Sequence, residues 1–575
     1  MRILFLTHAF NSLTQRLFVE LTAAGHEVSI EFDVSDSVTD EAVALFRPEL
    51  IVAPFLKRRI AESVWRRHRC IVIHPGIKGD RGPSALDWAI ADNEPEWGVT
   101  ALEANAEMDA GDIWATVAFP MRIATKSSLY RNEVTEAAVA AMRLVLARIG
   151  NPDFRPQPLD PHGRDVRGRL RPRMQQSDRA IDWQADTTQT VLRKIRAADG
   201  FPGVHDTVCG LGVHLFDAHQ EGPPGRVGTR AAPGTLIAQR EGAVCRATVD
   251  GAVWITHLRR ADGAEPSFKL PASMVLGDRI ADVPEAPLAP DAKVDHPTWR
   301  AIRYEEAGDV GYLHFPFYNG AMGTAHCERL RAAVARAKAR PIRVLVLCGG
   351  PDFWSNGIHL NLIEASRQPA DESWANINAM NDLVREIVTA ERQITIAAMQ
   401  GNAGAGGVFL ALAADQVLAR IGVILNPHYK AMGNLYGSEY WTYLLPRRVG
   451  ERNAKAITGN RLPIGAQAAR ASGLIDDCFD ATPAVFMAGV RARAQALAQQ
   501  PDLAATLAAK SARRAADEAN KPLESYRAEE LERMRLNFWG FDASYHVARQ
   551  HFVRKLPRSR TPLHLARHRG QPMRA

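Results

Sequence analysis

Apolar runs and amphipathic stretches alternate along the amino-terminal part of the chain. Arg2–Thr7 and Cys70–His74 are short apolar runs, and between them leucines recur at a spacing of four from Leu13 to Leu21. Such alternation predicts a parallel sheet with crossover helices, so residues 1–162 are expected to form a Rossmann-like domain. Ligands of such sheets bind at the carboxyl ends of the strands, where His74 lies.

The pattern changes near residue 163. Short apolar runs between Gly, Pro and Asp residues, such as AVCRATVDGAVWITHL, predict a small β-barrel domain of the OB-like kind over residues 163–284. The Pro- and Ala-rich residues 285–298 are expected to be a linker. A second α/β unit fills residues 299–575, and its composition beyond Pro501 predicts carboxyl-terminal helices. The fold class is therefore an α/β multidomain protein.

Composition limits the classes of protein to consider. The 575 residues are too many for one hydrophobic core, and 46% hydrophobic with 23% charged residues is ordinary for a globular protein. No run of about 18 apolar residues predicts a membrane span. Six cysteines, none at Cys-x-x-Cys spacing, indicate reduced thiols in the cytoplasm and no metal site. The net charge of +7 reflects either a solvated arginine-rich surface or binding of anionic small molecules, and no nucleic-acid-binding motif is present.

Two segments carry the first candidate catalytic residues. In CIVIHPGIKGDRGPS, His74 follows a strand on a turn rich in Gly and Pro. In WGVTALEANAEMDAGD, Asp109 lies between Met108 and Ala110. A histidine at a strand end can stabilise a developing oxyanion or move a proton near neutral pH. A lone histidine is more often structural, so the interpretation depends on both segments occurring in order.

Together these segments resemble the N10-formyltetrahydrofolate-dependent formyltransferase family. Its histidine loop, its Gly-Val-Thr and its Asp-x-Gly-Asp motif match in order, and 201–203 and 233–235 look like its barrel-like carboxyl domain. The resemblance covers roughly residues 1–285. It implies that His74 and Asp109 are catalytic and that N10-formyltetrahydrofolate is bound by residues of the Gly-rich turn, namely Gly76, Gly79, Arg81 and Gly82.

The sequence departs from this family at two places. The family's asparagine two residues before the histidine is Val72 here, and the loop from His74 to Gly82 is one residue shorter. Losing one oxyanion donor costs about 10²–10³ in rate. Either another group replaces the amide or the acceptor needs less help. A thiol acceptor is such a case, because a thiolate is a stronger nucleophile than a neutral amine.

A second pair of Gly-rich turns lies in RVLVLCGGPDFWSNGIHL and AAMQGNAGAGGVFLALAAD. Glycines at such turns let two backbone N–H groups point at one thioester oxygen. The pair resembles the crotonase (enoyl-CoA hydratase/isomerase) superfamily. The resemblance implies that the N–H groups of Ile358 and Gly406 form an oxyanion hole, and that the remaining turn residues hold coenzyme A, namely Asn356, Gly357, Gly401 and Gly407.

The carboxylates of the hydratases are missing from this unit. Their positions fall on Phe409 and near His428, and hydration needs a carboxylate pair to handle the protons of water. The unit is therefore not expected to be a hydratase. The remaining catalytic candidates in NPHYKAMGNLYGSEYW are Tyr429, Tyr436 and Glu439, of which Tyr429 and Glu439 form the favoured pair.

The fusion of the two units in this order is itself distinctive. With HPGIKGDRGPS, FWSNGIHLN and NPHYKAMGNLYGSEYWTY, the whole chain resembles a family of nickel–iron hydrogenase maturation proteins. The resemblance implies transfer of formyl from N10-formyltetrahydrofolate to coenzyme A, then decarbonylation of formyl-CoA to CO and coenzyme A. It also implies other hydrogenase maturation proteins as partners, without nucleic acid or membrane.

Two other functions stay open at this point. One is formyl transfer to an amine with a separate acyl-CoA hydrolase or isomerase unit, and the other is a noncatalytic scaffold that binds folate and coenzyme A. The basic sequence at the carboxyl terminus is either a solvated end or a cap for the phosphates of coenzyme A.

Overall fold

The first unit is built on a six-stranded sheet. The computed structural model describes residues 1–222, 231–263, 267–480 and 482–570. The strands of the sheet are β1 (Arg2–Thr7), β2 (Glu27–Phe32), β3 (Leu50–Ala53), β4 (Cys70–His74), β5 (Glu96–Glu103) and β6 (Ile113–Pro120). Their order is β2-β1-β3-β4-β5-β6, with parallel pairing among β1 to β4 and antiparallel pairing of β5 with β4 and β6. The Rossmann-like domain is confirmed.

Helices cover both faces of this sheet. They are α1 (Ser12–Ala23), α2 (Asp36–Phe46), α3 (Glu62–Trp65), α4 (Ala85–Ala91), α5 (Lys126–Leu129) and α6 (Thr135–Ile149), with a π-helical turn at Tyr130–Val134. Ile3 packs in one cluster with α1 and α6, whereas Leu4 packs in another with α2, because alternate residues of a strand face opposite sides. Asn11 caps α1 by accepting a hydrogen bond from the backbone N–H of Thr14.

The second unit is a small antiparallel sheet with one long helix. It contains α7 (Thr188–Ala198), β7 (Val204–Val208), β8 (Leu211–Glu221), β9 (Leu236–Arg240), β10 (Ala243–Ala247), β11 (Ala252–Arg260), β12 (Leu270–Pro271) and α8 (Ala272–Leu276). The strand order is β7-β8-β11-β10-β9, and β12 pairs with β11. Val191, Leu192 and Ile195 of α7 fill the core of this sheet.

The third unit has two sheets. The strands are β13 (Arg303–Ala307), β14 (Val310–His314), β15 (Val344–Gly349), β16 (Phe353–Ser355), β17 (Ile394–Met399), β18 (Asn402–Gly404), β19 (Gln416–Arg420), β20 (Ile424–Asn426), β21 (Ile464–Gly465) and β22 (Asp477–Phe479). The larger sheet has the order β13-β14-β15-β17-β19-β22, and the smaller one has the order β16-β18-β20-β21. The smaller sheet carries the turns on which the second candidate site depends.

The third unit ends in a series of α-helices, as the sequence predicts beyond Pro501, and the last of them stops at Val553. The helices of this unit are α9 (Thr324–Lys338), α10 (Leu360–Ala365), α11 (Pro369–Val388), α12 (Gly406–Leu412), α13 (Trp441–Asn460), α14 (Ala466–Ala471), α15 (Pro483–Ala498), α16 (Leu503–Asn520), α17 (Leu523–Trp539) and α18 (Ser544–Val553). Among the described residues, no helix combines the length and the hydropathy that crossing a membrane requires.

Two extended segments bind the units together. The segment expected to be a linker lies against β9, where Ala286 N–H donates to Gln239 O at 2.9 Å. The carboxyl-terminal tail returns to the first unit, because Ile30 N–H donates to Leu565 O at 3.0 Å and Phe32 N–H donates to Thr561 Oγ1 at 2.7 Å. The tail therefore covers the edge strand β2 rather than remaining a solvated end.

Polar contacts also join the first and third units. The carboxylate of Glu136 in α6 lies between Arg16 of α1, at 2.8 Å, and Arg420 of β19, at 3.3 Å. Asn426 Nδ2 of β20 donates to Gln15 Oε1 of α1 at 3.0 Å. Helix α1 thus contacts the smaller sheet of the third unit, and α6 contacts the larger one.

Candidate active sites

His74 is the last residue of β4 and lies at the edge where the parallel strands end. Its side chain is buried, with 5% of the residue's surface exposed. The loop that follows is held by β5, because Trp97 Nε1 donates to Pro75 O and Thr100 Oγ1 donates to Gly76 O, both at 2.9 Å. The antiparallel pairing of β4 with β5 therefore fixes the position of the imidazole.

Two carboxylates flank this imidazole. Nδ1 of His74 lies 3.6 Å from Asp109 Oδ1, and Nε2 lies 2.9 Å from Asp80 Oδ2. Burial lowers the pKa of His74, but the hydrogen bond to Asp80 and the charges of Asp109 and Asp80 outweigh it, so the pKa is raised above its ordinary value. Sequence reasoning identified Asp109 and missed Asp80. The only signal for Asp80 was its place on the Gly-rich turn six residues after His74.

Asp109 has an unusual backbone for a residue other than glycine. Its φ of 58° lies in the left-handed region, which is energetically costly for most side chains. This conformation turns the carboxylate toward the histidine loop, where Asp109 Oδ2 accepts a hydrogen bond from Gly82 N–H at 3.4 Å. The structure therefore brings together His74 and Asp109, which are 35 positions apart in the sequence.

The Gly-rich turn after His74 packs against the segment that leads into the second unit. Gly79 and Gly82 both have positive φ, and a Cβ on either would lie 2.3 Å from this segment, at Val166 Cγ1 and Arg171 O respectively. Arg81 pairs its backbone with the same segment, and its side chain contacts Glu107 at 2.5 Å. Close packing thus accounts for these glycines, while the folate contacts expected of Gly76, Gly79, Arg81 and Gly82 stay a prediction.

The two Gly-rich turns of the third unit meet each other. Gly357 has φ +76°, and a Cβ on it would lie 3.3 Å from Gly406 N. Gly406 is the first residue of α12, so its N–H is among those that a helix leaves without an intrahelical partner. The preceding residue, Ala405, is held at φ 48° and ψ −127°. The turns that carry the predicted donors Ile358 and Gly406 are therefore in contact.

A tyrosine and a glutamate lie over this pair of turns. Tyr429 OH donates to Glu439 Oε2 at 2.5 Å, and both side chains are buried. A Cβ on Gly406 would lie 2.7 Å from Glu439 Cδ, so the carboxylate sits directly above the Gly406 Cα. Burial raises the pKa of Glu439 to about 7, although the hydrogen bond from Tyr429 acts in the opposite direction. A carboxyl with this pKa can exchange a proton near neutral pH.

The backbone around Glu439 is held by two buried polar residues that the sequence did not reveal. Asn381 Oδ1 accepts from Glu439 N–H at 2.7 Å and from Ser438 Oγ at 2.8 Å. Glu530 of α17 accepts from the backbone N–H groups of Tyr440 and Thr442, both at 2.9 Å. Burial raises the pKa of Glu530 to about 8. Sequence spacing gave no signal for either residue, because Asn381 reaches Glu439 and Glu530 reaches Tyr440 from distant helices.

The other residues predicted at this site have different surroundings. Phe409 stacks on Tyr429 with ring centroids 5.4 Å apart, so an aromatic contact stands where hydratases have an acid. Burial lowers the pKa of His428 to about 4.

The remaining predicted residues lie around the turns. The Tyr436 side chain is exposed. Asn356 Nδ2 donates to Asn319 O at 2.8 Å. A Cβ on Gly401 or Gly407 would collide with backbone atoms, at Asp352 and Ser355 respectively.

Cationic side chains from all three units converge near the interface. Burial lowers the pKa of Lys269 in the second unit to about 8. The charges of Arg131 from the first unit and Lys555 from the third lower it further, while Asp199 raises it. Lys269 Nζ donates to Tyr318 OH at 2.9 Å, and Tyr318 OH donates to Asp199. This cationic cluster of Arg131, Lys269 and Lys555 has the charge that binds anionic ligands.

The chain matches three family models in the order that the sequence predicts. Residues 12–146 match the formyl transferase model, and residues 173–269 match the model of the formyl transferase C-terminal domain. Residues 313–547 match the enoyl-CoA hydratase/isomerase model. The resemblances inferred from the two sets of motifs are thus confirmed.

One relative aligns with the chain along almost its whole length. The hydrogenase maturation factor HoxX of Bradyrhizobium diazoefficiens is 55% identical over 569 residues, which are 99% of this chain and 97% of that protein. The chain belongs to the HypX/HoxX family of hydrogenase maturation factors. A crystal structure of a second HypX, that of Aquifex aeolicus in complex with tetrahydrofolic acid, superimposes with a TM-score of 0.95 at 49% identity and covers 100% of both chains.

The first two units of this HypX/HoxX chain are also similar to a simpler enzyme. The methionyl-tRNA formyltransferase of Variovorax paradoxus is 29% identical over 226 residues, which are 39% of this chain and 68% of that enzyme. A HypX/HoxX chain therefore combines a formyltransferase with an enoyl-CoA hydratase-like unit.

Proposed function

We propose that this protein makes carbon monoxide from N10-formyltetrahydrofolate in two steps. The first unit transfers the formyl group to the thiol of coenzyme A, and the third unit releases CO from formyl-CoA. The CO serves the maturation of a nickel–iron hydrogenase, which agrees with the family to which the chain belongs. Other maturation proteins are the proposed recipients of the CO.

The observation that carries the proposal is the docking of both thioester-binding turns on the first unit. Asp352 precedes the turn of Ile358, and its Oδ1 accepts from Ser128 Oγ at 2.7 Å and from Asn132 Nδ2 at 2.9 Å. The turn of Gly406 is bound to β20, which itself contacts helix α1. This docking supports direct passage of a formyl thioester from the first unit to these turns, which would shield it from water.

The first step is formyl transfer. The thiol sulfur attacks the formyl carbon, the S–H and C–N10 bonds break, and the S–C and N10–H bonds form. Negative charge develops on the formyl oxygen, where an N–H of His74 can stabilise it, and the Asp109 carboxylate can carry the thiol proton toward N10. Binding of the folate by this unit is supported by the Aquifex aeolicus HypX, which was crystallised with tetrahydrofolic acid.

The second step is decarbonylation of the formyl thioester. The formyl C–H bond gives its proton to Glu439, the C–S bond breaks with its electron pair on sulfur, and the proton passes to the thiolate. The N–H groups of Ile358 and Gly406 polarise the formyl oxygen. The hydrogen bond between Tyr429 and Glu439 orients the carboxylate for this transfer.

The phosphates of coenzyme A require cationic partners between the two sites. The cationic cluster of Arg131, Lys269 and Lys555 supplies three positive side chains, one from each unit, and the charges of the other two lower the pKa of Lys269. Binding a phosphate there would relieve the repulsion among these side chains. We assign the phosphates of coenzyme A to this cluster.

The test measures both products from purified protein. Protein with N10-formyltetrahydrofolate is assayed for tetrahydrofolate and for CO, the latter by the spectral shift of a haem protein, with and without coenzyme A. Wild-type protein is expected to form both products only when coenzyme A is present. His74→Ala is expected to form neither, and Glu439→Gln is expected to release tetrahydrofolate without CO. Tetrahydrofolate release by the wild type without any CO would refute the decarbonylation step.

A glycine pair provides a matched control for the thioester-binding turns. Gly406→Ala places a Cβ 2.7 Å from the Glu439 carboxyl carbon, whereas a Cβ at Gly459 meets nothing within 4 Å. Gly406→Ala is expected to lose CO formation by about 10²-fold or more while Gly459→Ala keeps it, because the former displaces both the carboxylate and a backbone donor. Equal CO formation by the two variants would argue against this site.

A further inference from the structure

The imidazole of His74 is hydrogen-bonded on one side only. The 2.9 Å between Nε2 and Asp80 Oδ2 is a hydrogen bond, whereas the 3.6 Å between Nδ1 and Asp109 Oδ1 is too long for one. A carboxylate can only accept, so Nε2 carries a hydrogen that it donates to Asp80. Nδ1 is the other ring nitrogen, and it faces Asp109 at a distance too long for a hydrogen bond.

We propose that Asp80 is the positioning residue of the formyl-transfer site, holding His74 protonated so that its Nδ1–H points at the formyl oxygen. The inference rests on the proposed transfer of formyl to a thiol and adds a residue to it. Asp80 acts through His74 and does not itself touch the substrate. Because the side chain two residues before His74 is the apolar Val72, the imidazolium is the charged donor available to the developing oxyanion.

The backbone around Asp80 is shaped to permit this contact. A Cβ on Gly76 would lie 2.4 Å from His74 Nε2 and 2.5 Å from Asp80 Oδ2, so any other residue there would push the pair apart. A Cβ on Gly168 would lie 1.9 Å from Asp80 N. Asp80 N–H donates to Ile77 O at 2.9 Å, which closes the turn. Two close approaches and a tight turn therefore fix the carboxylate against the ring.

Several charged groups surround the pair formed by His74 and Asp80. Burial lowers the pKa of His74, and the charged groups that oppose this effect are Asp80 and Asp109, which raise it. Asp80 also lines a cavity of about 140 Å³, together with Glu94, Arg167, Arg169 and Arg171. Three of these side chains are guanidinium groups. Arg167 and Arg171 are paired with Glu96 and Asp92, so the cavity carries charges of both signs.

The arrangement also accounts for the proton balance of formyl transfer. The thiol proton ends on N10 of the folate, so no proton is gained or lost by His74 over the reaction. An imidazolium that stays protonated donates to the oxyanion in the transition state and returns unchanged. Asp109, 3.6 Å from Nδ1, remains the carboxylate that can accept and return the thiol proton.

The test follows the protonation of His74 directly and does not depend on any acceptor. In protein labelled only at histidine, the resonance that is missing from His74→Gln identifies His74, and its titration is recorded in wild-type protein, Asp80→Asn and Asp165→Asn. Asp165 is an exposed carboxylate of the segment that packs on the same turn, so it is a matched control. The midpoint of His74 is expected to move to lower pH in Asp80→Asn and to stay unchanged in Asp165→Asn.

The same variants are then assayed for tetrahydrofolate release across pH. In Asp80→Asn, the pH at which the rate of tetrahydrofolate release falls on the alkaline side is expected to decrease together with the His74 midpoint. At pH values above that midpoint the rate is expected to be about 10²-fold lower than in the wild type. Asp80→Glu is expected to recover part of the rate. An unchanged midpoint, or a loss equal at every pH without recovery by glutamate, overturns the proposal. If wild-type protein releases no tetrahydrofolate with any thiol while the midpoint still shifts, the proposed function fails and Asp80 is left as a structural partner.

Discussion

Glu439 has an uncommon pKa and an uncommon backbone conformation. Burial raises its pKa to about 7, and φ is 66° at Glu439 and 57° at Tyr440. Left-handed residues other than glycine cost about 1–3 kcal/mol each and persist where the surroundings fix them. Here Asn381 and Glu530 fix them, by accepting from the backbone N–H groups of Glu439 and Tyr440. The buried carboxyl and the two left-handed residues therefore reduce the stability of the protein.

Replacing Glu439 with glutamine is expected to stabilise the protein at alkaline pH while abolishing CO release. A free glutamate ionises near 4.5 and folded Glu439 near 7, so between these values the folded state binds more protons and stability falls as pH rises. This shift corresponds to at most about 3 kcal/mol. The apparent melting temperature of Glu439→Gln is expected to exceed that of the wild type at about pH 8, and the advantage is expected to shrink toward pH 4.5. An advantage that does not change with pH would contradict this account.

At the scale of elements, the carboxyl-terminal tail completes the first sheet. An edge strand exposes unpaired backbone groups, and proteins commonly cover such edges. The tail covers β2 through Thr561 and Leu565, and it also buries His568 against two side chains of that strand. His568 Nδ1 lies 2.7 Å from Ser29 Oγ, and Nε2 lies 2.9 Å from Glu31 Oε2. The tail therefore ties the third unit to the first.

Replacing His568 with alanine is expected to loosen this attachment. Ser29 and Glu31 would each lose a buried partner, which costs about 2–4 kcal/mol by analogy with other buried polar pairs. The expected results are a lower apparent melting temperature and faster protease cleavage between residues 554 and 569. Leu563→Ala is the control, because Leu563 lies on the same tail but is 68% exposed. Equal effects of the two variants on melting and cleavage would show that His568 does not attach the tail to β2.

At the scale of the whole molecule, the two candidate sites depend on one interface. Asp352 accepts two hydrogen bonds from the first unit and lies 3.5 Å from Arg131. The guanidinium of Arg131 also lies 4.5 Å from the ring centroid of Phe353, in the strand that leads to the turn of Ile358. The interface thus places the turn of Ile358 against the formyltransferase unit.

Replacing Asp352 with alanine is expected to uncouple the two steps without stopping the first. The turn of Ile358 would lose its contacts with Ser128 and Asn132, so formyl-CoA would reach water before the second site. Formate, the product of hydrolysis, is expected to rise several-fold relative to CO while tetrahydrofolate release continues. The control is Glu391→Ala, an exposed acidic residue of the same unit. An unchanged ratio of formate to CO in Asp352→Ala would contradict direct passage of formyl-CoA between the two sites.

The sequence by itself determined the units and the local turns. The spacing of Leu13, Leu17 and Leu21 gave the buried face of α1, and the apolar run before His74 gave the strand that ends at it. Ordered motifs gave the formyltransferase and enoyl-CoA hydratase-like units, because each motif is a short turn whose shape depends on residues close in sequence. The candidate roles of the residues on these turns stay predictions.

Only the tertiary structure decided which distant residues surround those turns. Asp80 lies in a local turn, but its contact with His74 depends on packing against residues 166–171. Glu530 reaches Tyr440 from 90 positions away, and the tail reaches β2 across more than 500. Such contacts leave no periodic signal, since any polar residue on a distant helix or tail would look the same in the sequence. Packing of whole elements, and not local propensity, selects among them.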